Sequence, residues 1–247
     1  MARDPSEGSG SQQISGEMRG EILVITFDDP ATRNSFSLRA ANLLKACLAD
    51  QVSSYRALVF LTKGPVFCSG GNLSDYASMS TSEEGKLVNQ RITSILDDIA
   101  KLPVPTVCAV SGDCFGGGLE LVSAFDSVIC VPHAMFGLWQ RKVGLSFGWG
   151  GGARLESRIG AAQLKRLSLS TECVGAHQAL TYGLVDAVVP SVKLEKVAFD
   201  LAQKIASLPQ APIGGLKTWS SSSEAKLFEQ LWWNEEHRAV LKKHSSR

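Results

Sequence analysis

The sequence has no long apolar run, no clustered cysteines and no surplus of charge of either sign, and each absence narrows what the chain can do. Its longest apolar stretches fall well short of the roughly 20 residues that a membrane-spanning helix needs, so no membrane role is expected. Lys and Arg total 25 against 24 Asp and Glu, a formal charge of +1. A general polyanion binder carries a basic excess, so nucleic acid is not an expected partner. A small phosphorylated ligand needs only a few local cations, which this balance permits. The six cysteines (Cys47, Cys68, Cys108, Cys114, Cys130, Cys173) contain no CxxC pair. Most have apolar neighbours and read as reduced core residues, with no metal site expected. Residues 1–20 are polar and rich in Ser and Gly, without the apolar core of a secretory signal. Residues 1–18 are therefore expected to form a flexible tail, and the cytoplasm is the expected compartment.

What is present is ordinary globular material, 44% apolar and 20% charged over 247 residues. That suits one large domain or a domain with a small appendage. Continuous apolar runs at 21–27, 57–62, 106–110 and 127–131 predict buried strands. Apolar residues at helical spacing predict helices over 38–52 and 87–102. In the second of these, Leu87, Ile92, Ile95, Leu96 and Ile99 are expected to share the buried face, and Pro103 and Pro105 to end the helix. A short apolar helix is expected over 117–125. Beyond Gly160 the pattern turns mostly helical, at 161–169, 177–182, 194–208 and 223–243, with Ser223 a plausible cap for the last. Strands alternating with helices argue an α/β core, followed here by a helical C-terminal region.

Two glycine-rich segments follow two of the strands: Phe67-Cys68-Ser69-Gly70-Gly71-Asn72-Leu73 and Gly112-Asp113-Cys114-Phe115-Gly116-Gly117-Gly118-Leu119-Glu120. Glycines at such turns let backbone approach a ligand and leave N–H groups unpaired. Two N–H groups converging on one oxygen make an oxyanion hole. Taken alone, either segment is simply a turn. In order and separation, however, the pair resembles the oxyanion-hole signatures of the enoyl-CoA hydratase/isomerase (crotonase) superfamily. The run Phe136-Gly137, Val143-Gly144-Leu145, Gly150-Gly151-Gly152 and Arg154-Leu155 is similar to that family's third signature. Leu164, Ala179, Gly183-Leu184-Val185 and Val188-Val189 extend the likeness to most of the chain.

The resemblance implies a spiral of strand-strand-helix units over residues 19–190 and a helical trimerisation region over 191–247, assembled as a homotrimer or hexamer. It implies an acyl-CoA substrate, coenzyme A being part of that substrate and no separate cofactor being required. The amides of Gly71 and Gly117 are expected to polarise the thioester carbonyl, and Glu120 matches the first of the two catalytic glutamates of the family's hydratases. Ser69 and Gly70 belong to the same expected substrate-binding loop. Arg33 and Asn34 fall where the family approaches the CoA phosphates or adenine, with Lys63, Arg238, Lys242 and Lys243 as further sources of positive charge. His133 and His177, which have no evident partner in the sequence, read as structural.

The second catalytic glutamate is missing. Hydratases of the family carry it in Phe-Gly-x-Pro-Glu, and this chain reads Phe136-Gly137-Leu138-Trp139-Gln140. An amide can hydrogen-bond a water or a thioester, but it cannot exchange a proton near neutral pH. Trp149, in Gly148-Trp149-Gly150-Gly151, is expected to contact the substrate, and it matches a Trp-Gly-Gly of the family's ethylmalonyl-CoA decarboxylase-like branch, where one glutamate is also retained and the other absent. The expected activity is that of a lyase acting through a thioester enolate, either hydrating an enoyl-CoA or decarboxylating a 2-carboxyacyl-CoA. Double-bond isomerisation and a non-catalytic binding or scaffold role are the alternatives.

Overall fold

The computed structural model describes residues 13–49, 55–220 and 222–245. Its core is a six-stranded sheet. An antiparallel hairpin, β1 (Gln13–Arg19) and β2 (Ile22–Asp28), leads into parallel strands β3 (Ala57–Thr62), β5 (Thr106–Val110), β7 (Ser127–Cys130) and β10 (Ala187–Val188). The apolar runs of β3 and β5 have every residue buried, as expected of strands covered on both faces. A smaller sheet carries β4 (Val66–Cys68), β6 (Asp113–Phe115), β8 (Met135–Gly137) and β9 (Cys173–Gly175), the last antiparallel to β8.

The chain passes from the large sheet to the small one and then into a helix, three times over. β3 and β4 lead to α2 (Leu73–Ala77) and α3 (Ser82–Ala100), and β5 and β6 lead to α4 (Gly117–Val122). β7 and β8 lead through a glycine-rich loop to α5 (Gly151–Ile159). This is the strand-strand-helix arrangement that the resemblance implied. In the first two units the glycine signatures fall where the small-sheet strand, β4 or β6, turns into its helix.

Before the first unit, α1 (Leu38–Ala49) packs on β1; after the third come α6 (Ala161–Ser170) and α7 (Ala176–Tyr182). α8 (Leu194–Ala206) follows and lays Leu194, Ala198, Ala202 and Ala206 over β3 and β5. Small residues on this face let the helix approach closely. The packing holds α8 against the large sheet. α9 (Ile213–Lys217), α10 (Glu224–Leu231) and α11 (Glu235–Ser245) then extend from it.

Several sequence expectations need correction. The tail expected over 1–18 gives way to β1 from Gln13, an edge strand whose seven residues bury only Ile14; residues 1–12 lie outside the described chain. The helix expected from 87 begins at Ser82, because Thr81 caps it by accepting the Glu84 amide at 3.3 Å. Leu87 faces solvent at 61% exposure, and Val88 takes its place on the buried face. The last helix is two, broken at Trp232-Trp233: Trp232 is extended and Trp233 has φ 67°. Ser223 does not cap α10, since its hydroxyl turns back to donate to the Ser220 carbonyl.

Candidate functional site

Glu120 occupies the first turn of α4, yet only 2% of it is exposed. A buried carboxylate requires hydrogen-bond donors, and this one has four. Its Oε2 accepts the amides of Trp149 at 2.8 Å and Gly151 at 3.1 Å. Its Oε1 accepts the Gly148 amide and Gln140 Nε2, both at 3.3 Å. The loop before α5 thus wraps the carboxylate with its own backbone. Gly151 is the residue that permits this, because a Cβ there would overlap the Cα, Cβ and Cγ of Glu120.

Arg154 holds the same loop from behind. Its guanidinium donates to the Trp149 carbonyl at 2.7 Å, to Ser123 Oγ at 3.1 Å and to Asp97 Oδ1 at 2.6 Å. Burial lowers its pKa, and the charges of Asp97 and Glu120 oppose that shift. One cation thereby ties α5 to α3 and α4 beside the carboxylate.

Gly71 and Gly117 both pack against the benzo ring of Trp149. A Cβ on Gly71 would come within 3.2 Å of Trp149 Cζ2, and a Cβ on Gly117 would overlap the same benzo ring. Gly70, at φ 113°, brings the first loop against the second: its carbonyl accepts the Phe36 amide at 2.8 Å, and its Cβ position is 3.6 Å from the Gly117 nitrogen. Neither the Gly71 nor the Gly117 amide donates to an acceptor among the described residues. The two glycine loops, 46 positions apart in sequence, are thus brought together with both N–H groups unspent.

The remaining expected residues divide. Ser69 sits on the first loop, its amide donating to the Arg33 carbonyl at 3.1 Å and its hydroxyl to the Thr32 carbonyl at 3.3 Å. Arg33 is exposed beside it in the left-handed conformation (φ 55°). Asn34 does not fit the expected CoA contact. It is fully buried, its Oδ1 accepting the Asp29 amide and its Nδ2 donating to the carbonyls of Lys63 and Val66. It pins the first loop to β3 and β4 with every polar atom already engaged. Lys63, His133 and His177 are exposed. Cys68, beside Ser69, is fully buried and its pKa is pushed up to about 12 by that burial, so it is a packed thiol and not a nucleophile.

Two residues at the site carried no signal in the sequence. The Trp149 indole N–H donates to Asn89 Oδ1 at 3.0 Å and to the Tyr76 hydroxyl at 3.3 Å, and that hydroxyl donates to the same Asn89 oxygen at 2.6 Å. Burial raises the Tyr76 pKa; the Trp149 hydrogen bond opposes this, and the charges of Glu120 and Asp75 add to it. The phenol therefore keeps its proton, which it donates to Asn89.

Comparison with known proteins follows the same lines. A family model described as enoyl-CoA hydratase/isomerase matches residues 17–240. Human mitochondrial methylglutaconyl-CoA hydratase is 33% identical over 208 residues, which is 82% of this chain and 60% of that protein. Human mitochondrial enoyl-CoA hydratase domain-containing protein 2 is 34% identical over 221 residues, covering 86% of this chain and 75% of that one. This chain thus spans less than two thirds of the length of the human methylglutaconyl-CoA hydratase that it matches. The crystal structure of an enoyl-CoA hydratase from Bacillus anthracis superposes with a TM-score of 0.88 at 26% identity, over 95% of this chain and 96% of that one. With the family match, the paired glycine loops and the strand-strand-helix core in agreement, the chain belongs to the enoyl-CoA hydratase/isomerase family.

Proposed function

We propose that this chain is a lyase that forms an enolate from an acyl-CoA thioester, with Gly71 and Gly117 as the oxyanion hole and Glu120 as the acid/base group. The observation that carries this reading is the pair of unspent amides held together, one of them on the helical turn that carries a buried carboxylate. A thioester oxygen between two such amides gains negative charge as the α-carbon becomes enolate-like, and fixed donors stabilise that charge without reorganising. Glu120 Oε1, whose two contacts are both long, is the oxygen better placed to exchange a proton; Oε2 is held by two shorter amide bonds. Ser69 and Gly70 shape the same loop, and Arg33, exposed and accepting the Ser69 amide through its carbonyl, is a cation beside that loop for the CoA phosphates.

In hydration, a hydroxyl adds to Cβ of an enoyl thioester, the enolate forms, and Cα then takes a proton. With Gln140 beside it, Glu120 has to serve both transfers in turn. In decarboxylation, the bond from Cα to a carboxylate breaks, carbon dioxide leaves with the enolate behind, and only one proton is delivered. The 3.3 Å contact of Gln140 with Glu120, where family hydratases have a second carboxylate, favours this second reading. It also weighs against isomerisation, which moves a proton between two carbons and draws on a carboxylate at that position. A scaffold role leaves the spared amides and the caged carboxylate without purpose.

The deciding experiment is a panel of CoA thioesters (crotonyl, longer 2-enoyl, 3-enoyl, methylmalonyl and ethylmalonyl) with products read by mass spectrometry. Loss of carbon dioxide from the dicarboxylic thioesters supports decarboxylation, and gain of water by crotonyl-CoA supports hydration. Turnover of none removes the enzymatic reading.

A further inference from the structure

One side of the Gly71–Gly117 pair is bounded by aromatic side chains. The Trp149 indole, 4% exposed, lies with its benzo ring against both glycines. Tyr76 also reaches Gly71, its Cε2 lying 3.3 Å from the Cβ position there, and Phe36 packs on Trp149 with ring centres 5.7 Å apart. These groups come from separate elements, α2 for Tyr76, α3 for Asn89 and the loop before α5 for Trp149, and one hydrogen-bonded cluster joins them.

Two constraints fix the indole as a wall. Swinging it aside strips its N–H of the Asn89 and Tyr76 acceptors in a buried place, which is costly for an indole. Moving its backbone loosens the Trp149 amide from Glu120 Oε2, the shortest of the four bonds on that carboxylate. The ring and the acid/base group are therefore positioned by one residue.

We propose that Trp149, latched by Asn89 and Tyr76, sets the acyl-size limit of this site, admitting short acyl groups such as acetyl and crotonyl and excluding long straight chains. The proposal rests on the acyl-CoA reading above. Asn89 and Tyr76 act through the indole and are positioning residues.

The test uses acetyl-CoA and octanoyl-CoA, saturated thioesters with no double bond or second carboxylate to react, titrated calorimetrically against the full chain. The wild type is expected to bind acetyl-CoA and to discriminate against octanoyl-CoA. Trp149→Phe, which keeps an aromatic ring and the amide cage but shortens the wall, is expected to raise the octanoyl-to-acetyl affinity ratio at least about tenfold, the scale on which a pocket resolves added methylenes. Trp149→Ala should raise it further. Asn89→Leu, which leaves the ring but removes its acceptor, should raise it less. Circular dichroism establishes that each variant is folded, and if Trp149→Ala is not, the Phe and Leu variants decide. Equal affinities in the wild type, or a ratio unmoved by Trp149→Phe, overturn the size limit alone. Binding of neither thioester overturns the acyl-CoA reading and this proposal with it.

Discussion

Glu120 makes all four of its hydrogen bonds to the chain itself, so replacing it tests chemistry and architecture together. Glu120→Gln keeps the shape and one acceptor oxygen, but its amide nitrogen must face an N–H donor of the cage. Turnover is expected to fall at least about a hundredfold, the usual scale for losing a general acid or base, with thioester affinity nearly unchanged. Wild-type turnover in steady-state assays demotes Glu120 to a structural carboxylate. Gly117→Val addresses the opposite partner. Any Cβ at that position overlaps the Trp149 ring, so activity should be lost whether ring or helix start gives way, as product formation on the preferred thioester will read. Gln140→Glu is the most discriminating substitution. It puts a second carboxyl about where Nε2 now lies, 3.3 Å from Glu120 Oε1. Two carboxyls so close hold one of their protons to higher pH, giving an acid and a base near neutrality. Crotonyl-CoA hydration should rise, while decarboxylation should fall because the added charge repels the substrate's carboxylate. Brisk wild-type hydration that Gln140→Glu leaves unaltered removes the main support for the decarboxylase reading.

At the scale of elements, the N-terminus of α3 is the feature most open to a simple test. Thr81 accepts the Glu84 amide, and Glu84 Oε2 accepts the Ser80 amide at 3.0 Å, so two free backbone donors are satisfied by side chains that answer each other. Thr81→Ala should cost about 1 kcal/mol by chemical denaturation without altering turnover, the usual value of a lost cap; no change places the stability of α3 wholly in its buried face. The same helix marks what the sequence reveals and what it conceals. Ile92, Ile95, Leu96 and Ile99 are legible as one face because helical spacing is a local signal. The fully buried runs of β3 and β5 are legible because covered parallel strands are largely apolar. The small sheet is not: its strands have three residues each, too few for a period, and Gly137 and Gly175 within them read as turns. β1 is missed because six of its seven residues are polar, partly exposed or both. At the site, Glu120 and the glycines are found through their motif, whereas Asn89 and Tyr76 join Trp149 from 60 and 73 positions away by tertiary contact alone. Asn34 has a role that its place in the sequence did not reveal: its side chain bonds the Asp29 amide and the carbonyls of Lys63 and Val66.

At the scale of the whole molecule, the C-terminal helices leave apolar surface uncovered. Leu216, Trp219, Phe228, Trp232 and Trp233 are each more than half exposed. Phe228 stacks on Trp232 at 5.5 Å, and His237 lies against the other end of that indole at 5.0 Å. The rings form one side of a groove of about 280 Å³ lined also by Pro209, Pro212, Leu231 and Val240. The break at Trp232-Trp233 turns both indoles outward, and it does so through a left-handed conformation that a bulky residue adopts only at some cost. Soluble monomers rarely display so many large apolar side chains in one patch, whereas subunit interfaces are enriched in Trp and Phe. In the homotrimer or hexamer that the family resemblance implies, this face, including Leu231 and Trp232, is expected to be partly buried between copies. Sedimentation velocity at micromolar concentration should show a single species of three or six subunits. The double substitution Phe228→Glu, Trp232→Glu should shift it to smaller species, because introduced carboxylates cannot be buried unpaired at an interface. A stable wild-type monomer, or a double variant that assembles as the wild type does, removes this face from the interface.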